Sequence, residues 1–358
     1  MSLFNFGVKL GKKRGNGFVI QRKKARKTTI YDLAELTGAS ATAVSSVLNG
    51  NWKKRRISAQ LAEKIARVAQ EQGYAPNKQA SVLRSQRSHI IGMIVPKYDN
   101  RYFGSIVERF EAMARARGLF PIVTCTRRDP ALELEAAQTM LSWQVDWVIA
   151  TGATDPDKIS ELCAAVGVPT LNLDLPGKRA PSVISDNYGG ARALTRRVLE
   201  NVARRMGEKR PLVFVGGRGS DHNTRERLRG FSDAHREYGL PVQTGDILTC
   251  GYAPEKAASV LSQYAARHQR PVNGLFVNST ISLEGVMRWM DSAGLVGERQ
   301  LTMGCFDWDP FVSLLGHDIE MMKQNVPAML DAVFALIDSG GGGDTTLIEV
   351  PPLFVHQP

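Results

Sequence analysis

Cysteine is scarce in this chain, and the cysteines present form no pattern. Cys125, Cys163, Cys250 and Cys305 stand far apart in 358 residues, with no CxxC pair. That spacing excludes a zinc ribbon and a disulfide framework, and predicts free thiols in ordinary core at all four positions. The six histidines are scattered without an HxxxH pair, so no metal site and no cofactor is expected. No apolar run approaches the roughly 18 residues of a membrane-crossing helix. The first 27 residues lack the signal-peptide order of charge, apolar block and cleavage site. The expected location is therefore the cytoplasm, with no membrane partner.

Acidic residues are scarce in one region only. Residues 1–88 hold 18 Lys and Arg against 4 Asp and Glu, whereas residues 89–358 hold 28 against 31. The whole +11 excess thus lies in the first quarter of the chain. Such asymmetry describes a polyanion-binding head on a near-neutral body, with nucleic acid or an anionic membrane as the candidate partner. Residues 1–27 alone read as a basic extension, expected to be disordered.

Beyond the extension the sequence becomes patterned. Thr28 or Thr29 can cap a helix whose Ile30, Leu33, Ala34 and Thr37 share one face, and Gly38 can end it. Ser40 can cap a second helix with Val44, Val47 and Leu48 inward. Ser58 can cap a third with Leu61, Ile65, Val68 and Ala69 inward. Two short helices across a three-residue turn, backed by a third, make a helix-turn-helix head. The outward residues of the second helix, Ala41, Thr42, Ser45 and Ser46, are small enough to lie against base edges in a major groove. Lys53, Lys54, Arg55 and Arg56 stand beside it, which separates phosphate neutralisation from base reading.

The stretch TIYDLAELTGASATAVSSVLNG, followed by ISAQLAEKIARVAQEQGYAPNKQASVLRSQRSHIIGMIVP, resembles the head of the lactose-repressor (LacI/GalR) family of bacterial transcription regulators. The similarity continues through the rest of the chain. The resemblance implies DNA contacts at Thr29 and Tyr31, at Ala41, Thr42, Ser45, Ser46 and Asn49, and at Lys53, Lys54, Arg55 and Arg56. It also implies a hinge helix with contacts at Asn77, Ala80, Leu83 and Arg84, where Leu83 would wedge into the minor groove and bend the duplex. Two departures stand out. Ser46 occupies a place where the family commonly has Arg, which removes a bidentate guanine contact. NGNWKKRRIS lengthens the loop before the third helix, as in the fructose- and sucrose-repressor branch.

From residue 89 onward apolar strand patterns alternate with amphipathic helix patterns. HIIGMIVP, LFPIVTC, VDWVIATG, VPTLNLD, RPLVFVGG, GLFVN and LTMGCFD read as strands, and GSIVERFEAMARARG typifies the helices between them. The expected class is α/β: a three-helix head plus a two-lobed body with parallel sheets, resembling periplasmic sugar-binding proteins. The expected divisions are an extension over 1–27, a head over 28–76, a hinge over 77–88 and a body over 89–358. Lobe 1 takes about 89–187 and about 322–340. Lobe 2 takes about 188–321 plus the C-terminal strand.

Ligands of doubly wound sheets sit beyond the strands' C-terminal ends. By resemblance, Asp174, Arg227, Asn278 and Asp307 match effector-contacting positions, Tyr252 falls near an aromatic that packs on a sugar ring, and Gln324 joins the set. Asn100, Arg101 and Phe103 fall in a loop after the first strand that closes over ligand. Carboxylate, guanidinium and amide together suit a polyol, whose hydroxyls both donate and accept. Ser279 and Leu175 replace the family's usual Asp and Arg after Asn278 and Asp174.

An enzymatic reading finds no support. GGRGSDHN follows a strand and precedes a helix but lacks both the GxGxxG spacing and a GK[ST] ending. Ser220, Asp221 and His222 are contiguous, which is not how a triad is assembled. The expectation is a sequence-specific DNA-binding regulator, a repressor of carbohydrate metabolism, controlled by a sugar or sugar phosphate. It would act as a homodimer on a double-stranded operator, with a dimer of dimers left open. The alternative is a cytoplasmic sugar-binding or sugar-modifying protein with a non-specific basic head.

Overall fold

The computed structural model describes residues 28–74, 87–268, 272–295, 301–315, 319–341, 343 and 346–355. The basic extension over 1–27 and the positions Asn77, Ala80, Leu83 and Arg84 lie outside the described residues. The chain divides into two compact units, Met1–Arg84 and Ser85–Pro358.

Among its described residues the first unit contains three helices, α1 (Ile30–Thr37), α2 (Ala41–Leu48) and α3 (Ala59–Glu71). Thr29 and Asp32 form a reciprocal capping box, and Gly38 ends α1 in the left-handed conformation at φ 70°. Ser40 and Ser58 cap α2 and α3 through their hydroxyls. Leu33, Val44, Ile65 and Ala69 close a single small core.

The second unit holds two six-stranded sheets. In chain order its elements are β1 (Ile90–Val95), α4 (Arg101–Ala116), β2 (Phe120–Cys125), α5 (Pro130–Ser142), β3 (Trp147–Thr151), α6 (Pro156–Ala164), β4 (Thr170–Leu173) and β5 (Ser182–Ser185). Next come α7 (Asn187–Met206), β6 (Val213–Val215), α8 (His222–Glu237), β7 (Ile247–Leu248), α9 (Pro254–His268), β8 (Gly274–Val277), α10 (Thr280–Ser292) and β9 (Thr302–Phe306). The last elements are β10 (Ile319–Lys323), α11 (Val326–Asp338), β11 (Leu347–Val350) and β12 (Leu353–Val355).

Lobe 1 has strand order β11-β5-β4-β3-β1-β2, and lobe 2 has β12-β10-β9-β8-β6-β7. Among the described residues, every pairing between these strands is parallel except β10 with β12. Central strands such as β4, β8 and β9 are buried along their whole length because helices cover both faces. In lobe 1, α4 and α11 pack on one face and α5 and α6 on the other. In lobe 2, α9 and α10 cover one face and α7 and α8 the other. Helices α7 and α8 approach so closely that a Cβ at Gly230 would collide with the Tyr188 carbonyl oxygen.

The chain passes between the lobes three times: from β5 to α7, from β10 to α11, and from β11 to β12. The last passage places β11 in lobe 1, a strand that the expected lobe limits did not assign. A second difference concerns Arg101 and Phe103, expected in a loop. Both lie in α4, because the Asn100 side chain accepts from the Tyr102 N–H at 2.8 Å and starts the helix there. The cysteines also differ from expectation: Cys163 and Cys305 are core, but Cys125 and Cys250 are only half-buried, and Cys250 faces a cavity.

Candidate functional site

The head carries its polar groups outward on α2. Thr42 and Asn49 are exposed and Ala41, Ser45 and Ser46 half-buried, while Val44 alone in that stretch turns fully inward. The Ser46 hydroxyl donates to the Thr42 carbonyl at 2.8 Å, and the Asn49 amide donates to Ser45 O at 2.9 Å. With its proton so engaged, Ser46 offers only an acceptor to an approaching partner. Tyr31 is 74% exposed at the start of α1, beside the capping residue Thr29. Lys53, Lys54, Arg55 and Arg56 are all exposed on one ordered turn. Arg55 N–H donates to Asn51 O at 3.1 Å and Ile57 N–H to Trp52 O at 3.0 Å, which fixes four adjacent charges in a short span.

In the body, a cavity of about 580 Å³ opens between the lobes at the C-terminal ends of the strands. Asn100, Phe103, Asp174, Arg227, Tyr252, Asp307 and Gln324 all line it. Two of them share one backbone device. Asp174 follows β4 at φ 73° and Asp307 follows β9 at φ 80°, both in the left-handed region that a non-glycine residue occupies only at a cost. Strands β4 and β9 hold the same third place in their respective sheets.

Each aspartate is held on one oxygen. Asp174 Oδ1 accepts from Tyr102 Oη at 3.0 Å and from Asn223 Nδ2 at 3.2 Å. Asp307 Oδ1 accepts from Gln324 Nε2 at 2.5 Å. No protein donor is found for either Oδ2 among the described residues. Arg227 is 3% exposed. Its Nε donates to Asn187 Oδ1 at 2.8 Å and its Nη1 to the Asn278 carbonyl at 2.6 Å, with Cζ 3.7 Å from the Phe306 ring centroid. Asn187 in turn donates to Asn223 at 3.1 Å. A buried polar chain therefore runs Tyr102–Asp174–Asn223–Asn187–Arg227 from lobe 1 to lobe 2.

Burial raises the pKa of both aspartates; Arg128 and Arg227 oppose the shift at Asp174, and Arg227 and the Gln324 amide oppose it at Asp307. The Tyr102 hydroxyl is pushed well above its usual value by burial and by the neighbouring Asp174. It stays a donor at any physiological pH. The site thus offers carboxylate acceptors and free guanidinium N–H groups from facing walls, an arrangement that fits vicinal hydroxyls.

Asn278 departs from expectation, since its side chain does not line the cavity. It is fully buried with neither amide atom hydrogen-bonded. Gly217, at φ 74°, passes over it so tightly that a Cβ there would lie 2.6 Å from Asn278 Nδ2. Only the Asn278 carbonyl takes part, through Arg227. Sequence reasoning missed Tyr102, Asn223, Arg127 and Arg128. Tyr102 and Asn223 sit in helical first turns, and no motif separates them from ordinary helix residues.

Among the described residues no helix is long and apolar enough to cross a membrane. Residues 29–77 match the model of bacterial regulatory proteins of the lacI family, and residues 91–312 match that of the periplasmic binding protein domain. The chain is 74% identical over 193 residues to the ribitol operon repressor of Klebsiella aerogenes, covering 54% of this chain and 72% of that one. It is 28% identical over 303 residues to the sucrose operon repressor of Klebsiella pneumoniae, covering 84% of this chain and 89% of the relative. The crystal structure of the lac repressor dimer bound to operator and an anti-inducer superposes with a TM-score of 0.77 at 22% identity, over 93% of this chain and 98% of that one. The chain belongs to the lacI family of bacterial regulatory proteins, a family of transcription regulators and not of enzymes.

Proposed function

We propose that this chain is a repressor of a carbohydrate operon, a cytoplasmic homodimer whose head reads an operator and whose cleft binds a polyhydroxylated effector. The observation that carries the proposal is the buried polar chain from Tyr102 to Arg227. It leaves the outer oxygens of Asp174 and Asp307 and part of the Arg227 guanidinium without protein partners, all on one cavity. A ligand satisfying groups on both lobes favours the closed pair of lobes. The similarity to the ribitol operon repressor supports an effector of the pentitol class.

In this reading residues 28–76 form the DNA-reading domain, 77–88 the hinge and 89–358 the effector-binding domain. Ala41, Thr42, Ser45, Ser46 and Asn49 face the major groove, Lys53 to Arg56 meet phosphates, and Leu83 wedges into the minor groove. Operator and effector are coupled by one reciprocal free energy of roughly 1–3 kcal/mol. The test is fluorescence anisotropy of the full chain on a duplex selected in vitro, with ribitol added. Effector should change operator affinity about 5–150-fold. Leu83→Ala should weaken operator binding while effector binding persists. Equal losses of both would remove Leu83 from the hinge role, and equal affinity for selected and scrambled duplexes would remove the repressor reading.

A further inference from the structure

The cleft contains more positive charge than its polyol-binding groups need. Besides Arg227, the lining includes Lys97, Arg127, Arg128, Arg218 and Lys256, against the acids Asp174, Asp221 and Asp307. No described carboxylate lies within 4.0 Å of Arg127, Arg128 or Lys256. Arg218 reaches Asp221 only at 3.9 Å, and Lys97 pairs at 3.7 Å with the exposed Asp99. Arg128 is close enough to Asp174 and Glu133 for its charge to oppose the rise in both pKa values, yet it forms an ion pair with neither. Asp129 caps α5 through the Ala131 N–H at 2.8 Å, and Glu133 accepts from Thr154 N–H at 3.0 Å.

The backbone gives an independent sign. Arg127 and Arg128 stand at φ 53° and 59°, the two central residues of a turn closed by Asp129 N–H to Thr126 O at 3.0 Å. A turn with two consecutive left-handed residues is the natural place for Asn-Gly, which adopts it without strain. Two arginines there are a strained choice, and strain of this kind gathers where side chains serve a ligand. The side chains are also placed across the lobes. Arg128 from lobe 1 lies 5.2 Å from the Tyr252 ring centroid and Arg218 from lobe 2 lies 5.8 Å from the same centroid.

We propose that the Arg127–Arg128 turn, with Arg218 and Lys256 of the facing lobe, is a phosphate subsite, and that the effector is a short polyol phosphomonoester rather than a neutral polyol. The inference rests on the proposed polyol cleft and names the ligand class of that same site. A phosphomonoester carries about −1.5 to −2 charge and three acceptor oxygens, matching several forked donors where a carboxylate would match one. Because the cations come from both lobes, the phosphate is the group that draws the lobes together, while Asp174, Asp307 and Arg227 hold the hydroxyls.

Isothermal titration of the full chain with ribitol, ribitol 5-phosphate and ribonate tests this. The ester should bind about 30-fold more tightly than ribitol, as hydrogen bonds between charged groups allow. The double variant Arg127→Asn/Arg128→Gly relieves the strained turn but removes a cation that opposes the burial cost of Asp174, so it should melt close to the parent while the preference for the ester falls to about 3-fold or less. Arg218→Ala should reduce the same preference from the other lobe. Equal binding of ribitol and its phosphate by the parent, or a preference that survives the double variant, overturns the subsite and leaves the polyol cleft standing. Ribonate binding as tightly as the ester overturns the assignment to phosphate. No binding by any of the three overturns the cleft reading itself.

Discussion

Asp174 and Asp307 end the third strand of their respective sheets in the same left-handed conformation, yet they are wired differently. Asp174 is gripped by Tyr102 of its own lobe and by Asn223 of the other, so its geometry depends on how the lobes meet. Asp307 takes only Gln324, from the passage between β10 and α11. One backbone device is thus used twice, once with partners on both lobes and once with a single partner on the passage between them. Arg227 serves both, since its charge opposes the cost of burying each carboxylate.

Removing the shared element should have the largest effect. Arg227→Ala leaves Asn187 Oδ1 and the Asn278 carbonyl without a donor and two buried carboxyls without their common cation. Effector affinity should fall about 100-fold or more, and thermal unfolding should show a loss on the order of 3 kcal/mol. An unchanged effector titration would take Arg227 out of the site.

The next variants separate the two aspartates. Burial makes the folded protein hold their protons more tightly than the unfolded chain does. Ionising them therefore costs stability, a cost absent below the unfolded pKa and complete above the folded one. Asp307→Asn keeps a Gln324 partner and tolerates the left-handed backbone. It should melt at or above the parent temperature near pH 8, with the gain shrinking as pH falls, while effector affinity drops about 10-fold. Asp174→Asn should lose effector affinity similarly but gain less stability, because Asn223 would then face an amide across the lobes. Identical melting profiles for the two variants would erase the distinction between the carboxylate held from both lobes and the one held by a single partner.

The smallest effect belongs to Tyr102→Phe, which removes one hydrogen bond within lobe 1 worth about 1 kcal/mol. Its effector affinity should fall about 5-fold. A larger loss than that of Asp174→Asn would mean that Tyr102 contacts the effector directly.

The fold was legible because its signals are local. Ser40 and Ser58 announce helix starts, Val44 and Ile65 show the inward stripe, and short apolar runs such as HIIGMIVP, alternating with amphipathic helix patterns, read as buried parallel strands. Asp174 and Asp307 end strands, where such sheets bind ligands, and they were singled out, together with Arg227 of α8, by the resemblance to the lactose-repressor family. Tyr102 and Asn223 were not, because what makes them special is a contact between segments 72 and 49 residues distant from Asp174. The Arg127–Arg128 turn was invisible for another reason: arginine carries no preference for the left-handed conformation, so the sequence holds no turn signal there. Asn278 misled because a strand-end amide was assigned to the cavity, whereas the Gly216–Gly217 backbone closes over it.

The central claim is that cleft and head share one equilibrium. Its most direct test is a closed thermodynamic cycle on the full chain: operator affinity with and without saturating effector, and effector affinity with and without saturating operator. Linkage requires the two ratios to agree, and the account predicts a common value of at least about 5-fold. A ratio of one on both sides, with both ligands bound tightly, would contradict it.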